Sequence, residues 1–360
     1  MTQVLRVDRF SPDEDAIARA AAIIRNGGLV AFPTETVYGL GAHALDRDAV
    51  RRIFAAKGRP STDPLIVHVP SFDAIAPLTR NISPLAPVLA RRFWPGPLTM
   101  VLPKSALVPD EVTAGLDTVA VRVPAHPVAR ALILAAGVPV AAPSANLFSR
   151  PSPTSAAHVL NDLDGRIDAV LDGGTTTLGV ESTVLDLTGE IPTILRPGAI
   201  TLASLREVTN DAGGLNESDG TVAGAQAPAH HQGATPSPGM LAKHYSPRAP
   251  LTLYIGADAR AISRLLADAR ALRNDGVGTI GILAPTDDLQ CLPSDHGYRT
   301  ADLGRRADLE TIAMRLYASL RELDTAGVDV ILASDVPADE GLGATIHDRL
   351  TRAAAGRIRR

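Results

Sequence analysis

Two cations stand two residues apart where a helix-like run gives way to a strand-like one: Lys57 and Arg59, in "AAKGRPSTDPLIVHV", residues 55–69. The chain holds three lysines, Lys57, Lys104 and Lys243, among 35 Lys+Arg residues, so arginine is its default cation. A lysine at this join is a compact, strongly hydrated point charge where a planar fork would be usual. Two cations so placed suit a phosphate clamp that offsets charge developing during phosphoryl or nucleotidyl transfer. The plainer reading is a helix C-terminus carrying charges that complement its dipole. No Gly-Lys-Ser/Thr occurs anywhere in the chain, so a bound phosphate needs a device other than a P-loop.

Other chemistry-bearing residues fall in loops after strand-like runs. "APSANLFSRPSPTSA", 142–156, follows "VPVA" and offers Ser144 and Asn146, a hydroxyl and an amide able to hold a phosphate or a purine edge. Ligands in open α/β sheets favour this place beyond strand carboxyl ends, although Ser, Asn and Pro also suit any loop. "FPTETVYGLGAH", 32–43, carries Thr34, Thr36 and Tyr38 beside glycines that allow close backbone approach. In "LIVHV" His68 stands among aliphatics. In "TVAVRVP" the two-residue period puts Thr118, Ala120 and Arg122 on one face, and a mid-strand arginine demands an anion. Ser182 in "GVESTVLDL" and Arg196 in "ILRPGA" add a hydroxyl and a cation.

The elements that must hold these residues are legible as alternating helix and strand signals up to about residue 200. "PDEDAIARAAAIIRN" reads as a helix with acidic residues in its first turn. "DRDAVRRIFAAK" reads as another, capped by Asp46 and closed by Gly58. Strand signals are "LVAFP", "LIVHV", "LTMVLP", "TVAVRVP", "VPVAAP", "DAVLDGG", "STVLDLT" and "TILRPG". The spacing predicts an α/β domain with a twisted mixed sheet over residues 1–207. Helices too few and too irregular argue against a closed barrel. Residues 208–248 have the Gly, Ala, Pro and Ser texture of a flexible linker. Residues 249–360 alternate strand and helix again, which predicts a smaller Rossmann-like α/β domain. Its "GVGTIG", 276–281, has the dinucleotide spacing, but it follows a helix and enters a strand, the reverse of what that motif needs.

At 360 residues the chain exceeds one comfortable core. Aromatics make up 3% of it, so the cores are expected to be built from Ala, Val, Leu and Ile. The net charge of −4 argues against a generally basic nucleic-acid binder. Residues 1–207 alone hold 19 Lys+Arg against 20 Asp+Glu. The sole cysteine, Cys291, excludes an internal disulfide and a cysteine-based zinc cluster. "MTQVLRVDRFSPDEDAIARA" lacks the apolar core of a secretory signal, and "ALILAAGVPVAAP" is too short to span a bilayer. The cytoplasm, with no membrane partner, is the expected compartment.

Taken in order, "PTETVYGLG", "KGRPSTDPLIVHV", "WPGPLTMVLP", "VAVRVPAHP", "APSANLFSRPSP", "GVESTVLDL" and "ILRPGAI" resemble the Sua5/YrdC family of threonylcarbamoyl-AMP synthases. "SPGMLAKHYSPRAPL" and "EGLGATIHDRL" resemble its long, two-domain Sua5 type. The resemblance implies a nucleotidyltransferase that makes threonylcarbamoyl-AMP and pyrophosphate from L-threonine, bicarbonate and ATP, for t6A modification of tRNA by a separate transferase. It implies catalytic roles for Lys57 and Arg59. By the same likeness Lys57, Arg59, Thr118, Ser144, Asn146, Ser152, Arg196 and Tyr245 bind ATP. Thr34, Thr36, Tyr38, His68, Arg122 and Ser182 face threonine.

Magnesium is expected with ATP, without a dedicated protein site, and the linker carrying Tyr245 is expected to close as a lid. A weak contact with tRNA is a further expectation. One departure is visible: where the family often reads Ser-Gly after "SANL", this chain has Phe148-Ser149. The rival reading is a non-catalytic binder of double-stranded RNA, which calls for a basic, extended face. A HypF-type maturation factor would bring zinc-binding cysteines, which a single cysteine excludes.

Overall fold

The computed structural model describes residues 1–211, 235, 244–256, 258–293, 297–338 and 341–360. The chain forms two compact units. The first comprises Met1–Phe148, Pro153–Thr177 and Glu181–Met240, and the second Ser149–Ser152, Leu178–Val180 and Leu241–Arg360. Of the expected linker, residues 208–211 continue the helix Leu202–Asp211. Most of the rest, and with it the lid expectation, lies outside the described residues.

In the first unit the strands are β1 (Gln3–Arg6), β2 (Val30–Pro33), β3 (Tyr38–His43), β4 (Ile66–His68), β5 (Leu98–Pro103), β6 (Thr118–Arg122), β7 (Val140–Ala141), β8 (Ala169–Asp172), β9 (Thr183–Asp186) and β10 (Thr193–Arg196). They form one sheet in the order β1-β8-β2-β3-β7-β4-β6-β5-β9-β10. It is mixed: β4 runs parallel to β6, whereas β7 is antiparallel to both β3 and β4. In β6 the two-residue period buries Val119 and Val121 in the main core and leaves Arg122 to the other face.

Helix Arg47–Lys57 begins where the Asp46 carboxylate accepts from the amides of Asp48 and Ala49, a cap worth about 1 kcal/mol. It stops at Gly58, whose φ of 62° suits a residue without a Cβ. That stop fixes where Lys57 and Arg59 leave the helix. On one side of the sheet, helices Glu14–Arg25 and Pro127–Ala136 pack through Ala20, Ala21, Ile24, Leu132 and Ile133 against Val30, Phe32 and Leu171. Small helix residues let backbones approach closely, as a core poor in aromatics requires. The run "ALILAA" proves to be the end of helix Pro127–Ala136, closed by Gly137 at φ 66°.

The second unit holds β11 (Leu251–Tyr254), β12 (Ile280–Ala284), β13 (Arg299–Asp302), β14 (Val330–Ser334) and β15 (Ile358–Arg359), in the order β13-β12-β14-β11-β15. All pairs are parallel, giving the layered Rossmann-like sheet that the sequence predicts. Gly276 ends a helix at φ 80° and Gly281 lies inside β12, so the "GVGTIG" run does not open a helix.

One backbone crossing in the first unit tolerates no side chain. A Cβ on Gly198 would lie 2.3 Å from the Thr183 amide nitrogen, 2.5 Å from the Ser182 carbonyl carbon and 2.6 Å from the Glu181 carbonyl oxygen. These are backbone atoms and cannot rotate away. Gly198→Ala should destabilise the protein by about 2–3 kcal/mol, read as a lower urea midpoint. Gly189→Ala, whose Cβ would meet only the Ile191 carbonyl oxygen at 3.8 Å, is the control expected to stay near the parent.

Candidate active site

The two cations of the opening motif are both buried, Lys57 to 2% and Arg59 to 7% exposure. Lys57 Nζ donates to the carbonyl oxygens of Ser144 at 2.5 Å and Asn146 at 2.6 Å. The same lysine's carbonyl accepts from the Phe148 amide at 2.9 Å. The helix end and the loop after β7 are thereby locked to each other by side chain and backbone together. Strand β3 anchors the loop from the other side: the Ala145 amide donates to Tyr38 and the Leu40 amide to Pro143, each at 2.8 Å. The K-x-R and S-x-N elements, 85 residues or more apart in sequence, form one constellation.

Arg59 is held differently. Its Nη2 forms an ion pair with Asp63 at 2.9 Å and donates to the Pro64 carbonyl at 2.9 Å. With Asp63 at 0% exposure, the pair fixes the guanidinium against the loop that leads into β4. Asp63 completes a buried charge pair of the kind that is costly to break from one side.

The parallel register of β4 with β6 sets His68 directly opposite Arg122. The Arg122 guanidinium donates from Nε to Gly96 O at 3.2 Å, from Nη1 to Thr36 Oγ1 at 3.1 Å and from Nη2 to Glu35 Oε1 at 2.6 Å. Five N–H donors are available to an arginine, so one N–H on each terminal nitrogen has no acceptor among the described residues. Glu35 is itself fixed, its Oε2 accepting from the Ala125 amide at 3.0 Å. Thr34 and Thr36 share a hydroxyl–hydroxyl bond of 2.7 Å, so one hydroxyl network reaches Arg122. Tyr38 is fully buried and donates its hydroxyl to the Gly174 carbonyl at 2.6 Å. Its ring packs, and its backbone does the positioning described above.

His68 is 3% exposed, and its Nδ1 has no hydrogen-bond partner among the described residues. Burial, reinforced by the Arg122 charge, pushes its pKa down to about 3. The imidazole is therefore neutral at working pH, on the strand directly beside the one that carries the arginine.

Arg196 and Ser182 meet. Arg196 Nη2 donates to the Ser182 carbonyl at 2.9 Å and to its hydroxyl at 3.1 Å, and the Ser182 hydroxyl is 2.8 Å from that of Thr99. A register shift between Ile194 and Arg196 in β10 accompanies this aim. The residue expected at the nucleotide and the one expected at threonine are thus neighbours. Thr118 opens β6, half-buried. Ser152 and Tyr245 belong to the second unit. There Tyr245 stacks on Tyr317 with ring centroids 5.4 Å apart, under the Arg349 guanidinium at 5.0 Å.

Comparison with known proteins places the chain in a family. A family model named for Sua5, YciO and YrdC and described as "Telomere recombination" matches residues 22–198. A second, "Threonylcarbamoyl-AMP synthase, C-terminal domain", matches residues 200–355. The chain belongs to the Sua5/YrdC family. It is 45% identical to the threonylcarbamoyl-AMP synthase of Bacillus subtilis, across 98% of this chain and 96% of that one. It is 44% identical to that of Pyrococcus abyssi across 99% of both. The solved structure of P. abyssi Sua5 complexed with L-threonine superposes with a TM-score of 0.89 at 43% identity, covering 99% of each chain. The expectation of a non-catalytic RNA-binding module is not supported by these relatives, which are named as synthases.

Sequence reasoning missed Glu35, Asp63 and Thr99, the groups that hold the expected site residues in place. Glu35 had a signal: a mid-strand arginine requires a buried anion, and "PTETV" supplies a carboxylate between the two threonines. The departure at 148–149 has a physical content. Ser149 adopts φ 65°, the left-handed region where the family's glycine is unstrained. Ser149→Gly should therefore raise the urea midpoint by the equivalent of about 0.5–1 kcal/mol, with Ser149→Ala unchanged.

His68 and His126 make stability depend on pH. His126 caps helix Pro127–Ala136, its Nδ1 accepting from the Val128 amide, and burial followed by the Arg9 charge lowers its pKa to about 4. Both imidazoles protonate more readily in the unfolded chain, so stability falls as pH drops below about 6.5 and goes on falling toward the folded values. Each should remove about 2 kcal/mol by pH 5. Urea denaturation at pH 7 and pH 5 should show this loss, and His68→Gln or His126→Asn should each shrink it by about half.

Proposed function

We propose that the chain condenses L-threonine, bicarbonate and ATP to threonylcarbamoyl-AMP and pyrophosphate, and that it does so by positioning and electrostatics without a covalent intermediate. The observation that carries the reading is the joining of Lys57 to the Ser144–Asn146 loop, next along the sheet to the Arg122–Thr36 fork. It stands in a chain similar over its whole length to threonylcarbamoyl-AMP synthases.

The threonine amine adds to bicarbonate with loss of water, giving a carbamate. A carbamate oxygen then attacks the α-phosphorus of ATP, and the bond to the pyrophosphate oxygen breaks. No protein nucleophile is required, in keeping with a sole cysteine, Cys291, that is exposed in the second unit. Lys57 and Arg59 offset the charge on the phosphates, with Ser144, Asn146, Thr118 and Arg196 completing the part of the nucleotide subsite that the first unit supplies. The two N–H groups of Arg122 that lack protein acceptors take the threonine carboxylate as a fork. The unpaired Nδ1 of His68 accepts the threonine hydroxyl, with Thr34, Thr36, Tyr38 and Ser182 closing the subsite. A site built to bond a hydroxyl rejects an analogue lacking it.

Asp63, the carboxylate nearest in sequence to the cation pair, is engaged by Arg59. We therefore place magnesium on the triphosphate, as part of the substrate. The product goes to a transferase that completes t6A on tRNA, with at most a weak contact between tRNA and this chain, in the cytoplasm. No helix among the described residues is long and apolar enough to cross a membrane.

Pyrophosphate release by the purified protein should depend on threonine and bicarbonate. Serine should be a poor substitute. In Lys57→Ala the rate should drop by about a hundredfold or more, because charge and loop clip are lost together. Release independent of threonine would overturn the reading. Replacing threonine by 2-aminobutyrate, which lacks the hydroxyl, should abolish most turnover in the parent and make a smaller difference in His68→Gln.

A further inference from the structure

Past the carboxyl ends of the parallel strands β4 and β6, the first unit has a cavity of about 390 Å³, within the size range of small-molecule sites. None of its lining residues is among those placed above at threonine or the nucleotide. Phe72 and Trp94 form aromatic walls with ring centroids 6.2 Å apart. The Trp94 indole is held in place by its Nε1 donating to the Leu98 carbonyl at 2.7 Å. Pro70 and Pro95 complete an apolar floor.

Two guanidinium groups border this apolar space: Arg91, from the last turn of helix Leu85–Phe93, and Arg130, from helix Pro127–Ala136. Neither side chain has an ion pair or hydrogen bond among the described residues, whereas the neighbouring Arg92 lies over the Phe93 ring. Two unpaired arginines beside aromatic faces are complementary to a ligand with a flat ring and a doubly charged anion. Phosphate matches the arginine fork, and a base stacks on aromatic walls whatever its identity.

We propose that this cavity is a second nucleotide-binding site, distinct from that of the reaction: the base lies against Phe72 and Trp94, and the phosphate is held by Arg91 and Arg130. A free mononucleotide and a nucleotide within a single RNA strand share this chemistry.

Trp94 is the sole tryptophan of the chain, so its fluorescence reports this cavity alone. The full-length protein is titrated with uridine 5′-monophosphate while a non-hydrolysable ATP analogue and threonine fill the reaction site. Parallel arms use uridine, inorganic phosphate and a short oligouridylate. Saturable quenching by the mononucleotide, about tenfold or more weaker with uridine, supports the site. Tighter quenching by the oligouridylate identifies a strand as the source, and quenching by the mononucleotide alone identifies the free ligand. Arg91→Gln with Arg130→Gln should abolish the saturable phase while keeping threonine-dependent pyrophosphate release, which shows that the variant is folded. Phe72→Leu, which keeps most of the volume, should weaken binding without altering the parent's activity. Absence of saturable quenching in every arm, or quenching unchanged in the double arginine variant, would overturn the proposal.

Discussion

The site depends first on a buried ammonium that is satisfied by backbone oxygens. Lys57 places its charge between the carbonyls of Ser144 and Asn146 at a position 2% exposed. Ions in low-dielectric surroundings are costly unless they are well bonded, so the carbonyls of the loop are drawn to the amine and the loop acquires one conformation. Those carbonyls point at the lysine, and the peptide groups between them are oriented as a consequence. An arginine of the same charge could not occupy this space as a compact point donor, which accounts for a lysine in a chain that otherwise prefers arginine.

Two further buried cations follow the same logic with carboxylates as partners. Arg59 has Asp63, and Arg122 has Glu35. Each pair uses part of the guanidinium to fix its geometry and keeps the cation rigid. The neutral His68 opposite Arg122 belongs to this scheme: a second positive charge there would be repelled, and burial together with the arginine keeps the proton off. The polar centre of the first unit is thus a set of charges immobilised before any ligand arrives, the condition under which electrostatic stabilisation demands least reorganisation.

Much of the framework was legible because it rests on local rules. Asp46 and Gly58 mark the two ends of a helix by capping chemistry, and the alternation in "TVAVRVP" separates core valines from Arg122. The strands expected from "LTMVLP" to "TILRPG" are all present. Short β1 escaped notice because its "QVLR" is mostly exposed and pairs with β8, some 165 residues away. Helix Leu85–Phe93, with a proline inside its first turn and no side-chain cap, gave no start signal. Of the site, the residue types and loop positions were readable, but the partners were not. Nothing local links Glu35 to Arg122, or Lys57 to carbonyls nearly ninety residues on, since such contacts are created by strand order. Nor can a sequence show that Gly198 crosses the backbone at Ser182.

The peptide at Gly96 does two jobs. Its carbonyl accepts from Arg122 Nε and its amide donates to the Val123 carbonyl at 2.8 Å. It is also the next residue after Pro95, which lines the cavity beyond β4 and β6. One short link, Pro95-Gly96, therefore connects the arginine fork to the cavity beyond the strand ends. Linkage in such an arrangement is symmetrical: an occupant that displaces this turn shifts the Arg122 guanidinium, and whatever shifts the guanidinium alters the occupant's affinity by the same factor. A turn shared in this way is also the place where the molecule can compare what occupies the cavity with what engages the guanidinium.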